Sequence, residues 1–204
     1  MAQEAQKKKD QPNDPKEFEI QAMLLAEVVR RILKKRGEID LSGKPVLELK
    51  PVTEFMKRMR VTALGKFEGT TYISTVNFYQ NTEEMESNKA LGVIILYIHE
   101  EYIVKLLQRL NYPVTDEENE ESLADGCGSF CNLIAGNFKS GLTQLGYIEL
   151  EMSHFSSFRN ELVNGVGFYP FQLQKYEISF DIGGKKRIMV DLSMGPIPRL
   201  FNPS

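Results

Sequence analysis

Tryptophan is absent from the 204 residues, histidine and cysteine occur twice each, and neither sign of charge dominates. Each shortage removes a class of function. Two histidines, His99 and His154, are too few for a histidine-rich metal centre, and a nucleophilic triad would have to recruit one of them. Cys127 and Cys131 cannot build a disulfide framework; their spacing within a helical pattern points both inward, and the setting reads as a reducing cytoplasm. A formal net charge of -3 supplies no basic field for nucleic acid. No apolar run approaches the roughly 18 residues of a membrane-spanning helix, so no membrane partner is expected. The N-terminal MAQEAQKKKD has no apolar stretch behind its lysines and is not a secretory signal. Also missing are a glycine-rich phosphate loop and a Gly-x-Ser-x-Gly nucleophile turn, since Gly126-Cys127-Gly128-Ser129 falls inside a helical pattern.

What remains is a chain with the ordinary composition of a globular protein, 42% hydrophobic and 26% charged. Residues 1–13 are polar and aperiodic, with Lys7-Lys8-Lys9, and are expected to be a disordered tail before a single domain over 14–204. Asp14-Pro15-Lys16-Glu17 starts a helix: a capping carboxylate, a proline at the first helical position and an acidic first turn. Arg30, Arg31, Lys34, Lys35 and Arg36 crowd its last turns, and Gly37 is the expected stop. A short strand is expected at 46–49. Residues 58–67 and 70–78 are rich in β-branched and aromatic side chains and predict a hairpin about Glu68-Gly69. Residues 80–89 read as a loop, 93–98 as a central strand buried on both faces, and 100–110 as a helix. Thr115-Asp116-Glu117-Glu118 is a capping box for the next helix, which ends at Gly141 or Gly146. A strand at 147–152, a loop over 155–170 turning at Asn164-Gly165, and a hairpin of 174–181 with 186–194 about Gly183-Gly184 complete the chain. The fold class is α/β of the α+β type, a largely antiparallel sheet with long helices packed on it.

The helix over 121–141 has two chemically different sides. At about 100° per residue, Glu121, Ser129, Asn132 and Gly136 lie within about 40° of Asp125. Leu123, Cys127, Phe130, Ile134 and Phe138 lie on the opposite pole, an ordinary core stripe. The polar side carries one amide, the carboxylates of Glu121 and Asp125 and almost no bulk, so a partner can approach it closely.

These residues resemble the signature helix of the CheX and CheC chemotaxis phosphatases. Asp125-x3-Ser129-x2-Asn132, continuing Leu133-Ile134-Ala135-Gly136-Asn137, is similar to that family's Asp/Ser, Glu and Asn followed by an apolar pair and a small-Gly-Asn segment. The order of helices and strands around it is similar too, over roughly residues 15–194. The resemblance implies a CheC/CheX-like fold and a role in bacterial two-component signalling: hydrolysis of the aspartyl-phosphate of a CheY-like response regulator. It implies that Asn132 orients the attacking water, with Asp125 and Ser129 as supporting contacts and Glu121 and Gly136 facing the partner. It implies no cofactor and no metal ligand of the chain's own, any Mg²⁺ being carried by the regulator, and a homodimer paired through the sheet. A single copy of the motif makes the chain closer to CheX than to CheC. Glu161-x-x-Asn164 repeats its spacing, but Gly165-Val166-Gly167 follows and marks a coincidence.

The chain departs from the pattern where the family has its glutamate. Ser129 stands there, too short and uncharged to pair with a regulator's lysine, and Glu121 lies about 12 Å earlier along the axis. The proline usual in the strand after the helix is also missing. Two further readings therefore stand beside the phosphatase: a binding module on a catalytically degenerate scaffold, and a helix-packing or dimer surface. His154, near the missing proline, is expected to be partly buried.

Overall fold

The computed structural model describes residues 11–114 and 119–200. The tail up to residue 10 and the capping box expected at 115–118 lie outside the described residues.

The first helix, α1 (Pro15–Gly37), starts as its sequence dictates, with the Asp14 carboxylate accepting from the backbone N–H groups of Lys16 and Glu17 at 2.9 and 3.2 Å. It stops at Gly37, as expected, but the left-handed cap is the next residue. Gly37 is still helical, and Glu38 takes the left-handed conformation at φ 51° while donating its N–H to the Leu33 carbonyl. Gly37 serves packing instead, because a Cβ there would sit 2.9 Å from the Ile39 side chain. Asn13, placed in the tail by its neighbours, is buried. Its N–H donates to Gln172 Oε1, and its amide donates to Gln21 Oε1 and to the Met194 carbonyl.

The main sheet is antiparallel and seven-stranded, in the order β1 (Val46–Pro51), β9 (Gln174–Ile182), β10 (Lys185–Met194), β5 (Gly92–His99), β4 (Thr71–Tyr79), β6 (Glu151–Met152), with β7 (Ser156–Arg159) also on β4. β5 is buried along its whole length, which its unbroken apolar run requires. α1, α3 (Glu100–Arg109) and α4 (Glu120–Gln144) cover one face, where Leu25, Leu106, Phe130, Ile134 and Phe138 join Ile94, Leu96, Val190, Leu192 and Phe180 in one core. A second, three-stranded sheet of β2 (Glu54–Phe55), β3 (Arg58–Thr62) and β8 (Leu162–Val166) covers part of the other face. There Met59, Val61, Val163 and Val166 pack on Ile73, Val93, Ile95 and Tyr97.

Four sequence expectations differ from the structure, two of them through this second sheet. Residues 58–67 and 70–78 form no hairpin: β3 pairs with β2 and β8, whereas β4 pairs with β5, β6 and β7. Alternation shows that a segment is half-buried; it does not say in which sheet. The expected loop over 155–170 holds β7 and β8, with Asn164-Gly165 inside β8 rather than at a turn. The expected strand at 147–152 shrinks to β6 and a lone bridge from Tyr147 to Arg199. A five-residue helix, α2 (Thr82–Glu86), interrupts the expected loop over 80–89. The final hairpin is present, turning at Gly183 and Gly184 with φ of 61° and 75°.

Between the two sheets lies a charged cluster. Lys66, from the segment joining β3 to β4, reaches Glu177 and, at 3.0 Å, Asp191; Lys175 reaches Asp191 at 2.5 Å. The Tyr97 hydroxyl donates to Asp191 at 2.9 Å, and Lys66 sits over the Tyr97 ring. Burial opposes the charge on Lys66, but Asp191 and Glu177 outweigh it, and the ammonium holds its proton above the ordinary lysine range.

Candidate functional site on the long helix

Helix α4 starts at Asn119, whose side chain accepts from the Ser122 N–H at 3.0 Å. Arg159 of β7 ties this end down, pairing with Glu120 at 2.8 Å and with Glu100, the first residue of α3, at 2.6 Å. The inward stripe is as expected: Leu123, Cys127, Phe130, Cys131, Ile134 and Phe138 are all buried. Burial pushes the Cys131 thiol up to about 12, and Cys127 well above its ordinary value as well. Neither is a thiolate nucleophile at neutral pH.

On the outward side Glu121, Asp125 and Asn132 are exposed, and Ser129 and Gly136 are half-buried. The structure thus brings the signature positions onto one open crest. Asn132 has no side-chain hydrogen-bond partner among the described residues. Its neighbours are spent. Asn137 donates to the Leu133 carbonyl at 2.8 Å, and the Ser140 and Thr143 hydroxyls fold back onto the Gly136 and Lys139 carbonyls at 3.0 and 3.3 Å. A free carboxamide offers a partner two N–H donors and an acceptor oxygen, the equipment needed to hold a water against an acceptor.

The glycines of this helix divide into two kinds. A Cβ on Gly126 would lie 2.5 Å from Leu107, on Gly128 2.1 Å from the Phe155 ring, and on Gly141 2.9 Å from Leu24. These three let α3, the segment between β6 and β7, and α1 close on α4. At Gly136 nothing lies within 4 Å of the added atom. Its bareness faces outward and serves no internal contact.

On one flank of the crest Phe155 leans on Gly128, and further along Lys139 pairs with Glu149 at 3.1 Å. On the other flank lies α1. Phe155 escaped the sequence reading, because an aromatic ring seated on a helical glycine carries no spacing signal. His154 is exposed rather than partly buried; it follows β6 and lies outside the covered surface. Glu161 directly precedes β8 and Asn164 lies within it, accepting from Arg60 at 2.8 Å, so their motif-like spacing has no helical face to act on. Among the described residues, no group of three or more His, Cys, Asp or Glu is placed to hold a metal ion.

No protein-family model matches the sequence, and no curated protein matches it. Solved structures do match the fold. CheX from Desulfovibrio desulfuricans aligns with 85% of this chain and 98% of its own, at TM-score 0.55 and 11% identity. A chain of the CheX–CheY–BeF3–Mg²⁺ complex from Borrelia burgdorferi aligns with 85% of this chain and 97% of its own, at TM-score 0.50 and 16% identity. FliY from Thermotoga maritima covers 89% of this chain and 91% of its own, at TM-score 0.53 and 16% identity. At these identities the likeness is one of architecture: the chain has the CheC/CheX-like α+β fold.

Proposed function

We propose that this chain acts on the aspartyl-phosphate of a CheY-like response regulator, with Asn132 orienting the attacking water. The observation that carries the reading is the unspent Asn132 carboxamide on an exposed helix crest, in a fold that one relative displays in complex with CheY. Catalysis of this kind is positioning: the phosphoryl group and its Mg²⁺ belong to the regulator, and the helix contributes an amide that holds water in line. Asp125 and Ser129 contact the regulator beside it, and Glu121 and Gly136 form the edge of the footprint. The reading places the protein in the cytoplasm, where response regulators work. It also includes a homodimer, for which edge strand β1 with its exposed Val46 and Leu49 is the available sheet margin. Phosphate release from receiver domains charged with a small phosphodonor tests the proposal: wild-type protein accelerates decay, and Asn132→Ala loses about 10²-fold or more of the effect. If the two proteins leave the regulator's own decay rate unchanged, the enzymatic reading falls.

One observation favours a second reading, a binding module without catalysis. Ser129 is half-buried and carries no charge where the resemblance calls for a carboxylate able to pair with a regulator lysine. In that case a receiver is captured and its phosphate survives.

A further inference from the structure

We propose that the groove between α1 and α4 is the docking site for an acidic, partly apolar segment of the same regulator that the Asn132 crest engages; the proposal rests on the functional reading above. The groove encloses about 340 Å³. Its apolar side is Leu24, Val28 and Ile32 of α1, and its basic side is Arg31, Lys35 and Arg36.

The two helices run antiparallel. Glu17 meets Tyr147 beyond one end and Leu24 meets Gly141, while Gly37 and Gly126 both pack on the α3 region, against Leu110 and Leu107. From the Leu24–Gly141 contact, nine residues back along α4 reach Asn132 and nine forward along α1 reach Leu33. Lys35 and Arg36 therefore stand within about one helical turn of the level of Asn132. Around α4 the groove-lining Asn137, Ser140 and Gln144 lie about 80–140° from Asn132, so the groove opens beside the crest, and a receiver seated on the crest reaches it over the edge of the helix.

Charge bookkeeping on α1 sharpens this. Glu27 is shared by Arg30 at 2.7 Å and Arg31 at 2.6 Å, and Lys34 pairs with Asp40 at 2.6 Å. Lys35 and Arg36 have no carboxylate partner among the described residues. Two unpaired, exposed cations beside an apolar trench suit a partner that is acidic and amphipathic. A receiver carrying an aspartyl-phosphate is anionic where Asn132 would reach it, so one approach brings both features into register. On the α4 wall the Asn137 amide and the Ser140 hydroxyl donate to carbonyls of their own helix, and Gln144 completes the lining. Apolar surface continues past the groove's far end, with Met23 58% and Leu145 42% exposed.

The test is a binding measurement on a panel of CheY-like receiver domains loaded with beryllofluoride and Mg²⁺, using wild-type protein, the double variant Lys35→Glu/Arg36→Glu and, as a milder pair, Lys35→Gln/Arg36→Gln. Circular dichroism checks that each variant is folded. The expected result is a receiver whose Kd rises about tenfold on reversal and less on neutralisation, with a flatter salt dependence in both. Equal Kd values across the three proteins overturn the docking groove and leave the Asn132 reading standing. If wild type binds no receiver, the functional reading fails and the groove proposal with it. Sedimentation that shows the reversal breaking a dimer assigns the groove to a second copy of this chain and also overturns the proposal.

Discussion

Phe155 packs against Gly128, so close that a Cβ on the glycine would stand 2.1 Å from its ring. The bare side of α4 is therefore of two origins, one internal and one facing out, and substitution separates them. Gly128→Ala must displace an aromatic ring and should cost about 1–3 kcal/mol by overpacking. Gly136→Ala, in open space on the same helix, should gain about 0.5–1 kcal/mol from helix propensity. Urea unfolding of the two variants checks the opposite signs, and Gly136→Ala then asks whether the crest needs its bareness to engage a partner.

Ser129→Glu should restore a carboxylate to the crest. On the functional reading it strengthens receiver dephosphorylation by about tenfold in kcat/KM, because an ion pair to the partner then assists docking. Asn132→Ala in the Ser129→Glu background should abolish that gain. Stability should move by less than about 0.5 kcal/mol in either case, since both side chains reach solvent.

The buried charges between the sheets should respond unlike those on the surface. Asp191 has a side chain 1% exposed and is shared by Lys66, Lys175 and Tyr97. Asp191→Asn leaves two buried ammonium groups with Glu177 alone and should cost about 3 kcal/mol. Lys34→Gln removes a surface pair whose partners are 56% and 76% exposed, and should change stability by less than about 0.5 kcal/mol. Thermal melts of both variants measure the contrast.

Glu27 predicts an acid limb in stability. Hydrogen bonds from Arg30 lead, against the opposing effect of burial and with further help from Arg31, in lowering its carboxyl from 4.5 to about 2. The folded state thus holds the charged form more tightly than the unfolded chain does. The resulting stabilisation is fully present above about 4.5 and is lost as pH falls toward about 2. Unfolding free energies of wild type and Glu27→Gln, measured between those limits, should converge at the acid end.

Sequence pattern carried the three long helices, the buried central strand and the last hairpin, because each is set by local chemistry: Asp14 before Pro15, the apolar run into His99, Gly183-Gly184. It carried the face of Asp125, Ser129 and Asn132 as well, since helical phase is a local property. It missed the second sheet. Whether 58–62 pairs with 70–78 or with 162–166 depends on which apolar surface needs covering, and that surface is assembled from β4, β5 and β10. The groove beside Lys35 and Arg36 was not legible either, because its opposite wall comes from residues of α4 about a hundred positions away.

The strand order has a consequence for how the molecule comes into being. β10, the last of the described strands in chain order, sits between β9 and β5 in the interior of the main sheet, and β1 has β9 as its sheet neighbour. During synthesis, β1 and the pair β4–β5 must wait unjoined until the closing hairpin emerges, and Asn13 finds Gln172 and Met194 only then. Assembly is governed by long-range closure and should run on the slower time scale of non-local β pairing. A ribosome stalled before β10 would hold two half-sheets with open edges, the form of this chain most exposed to aggregation.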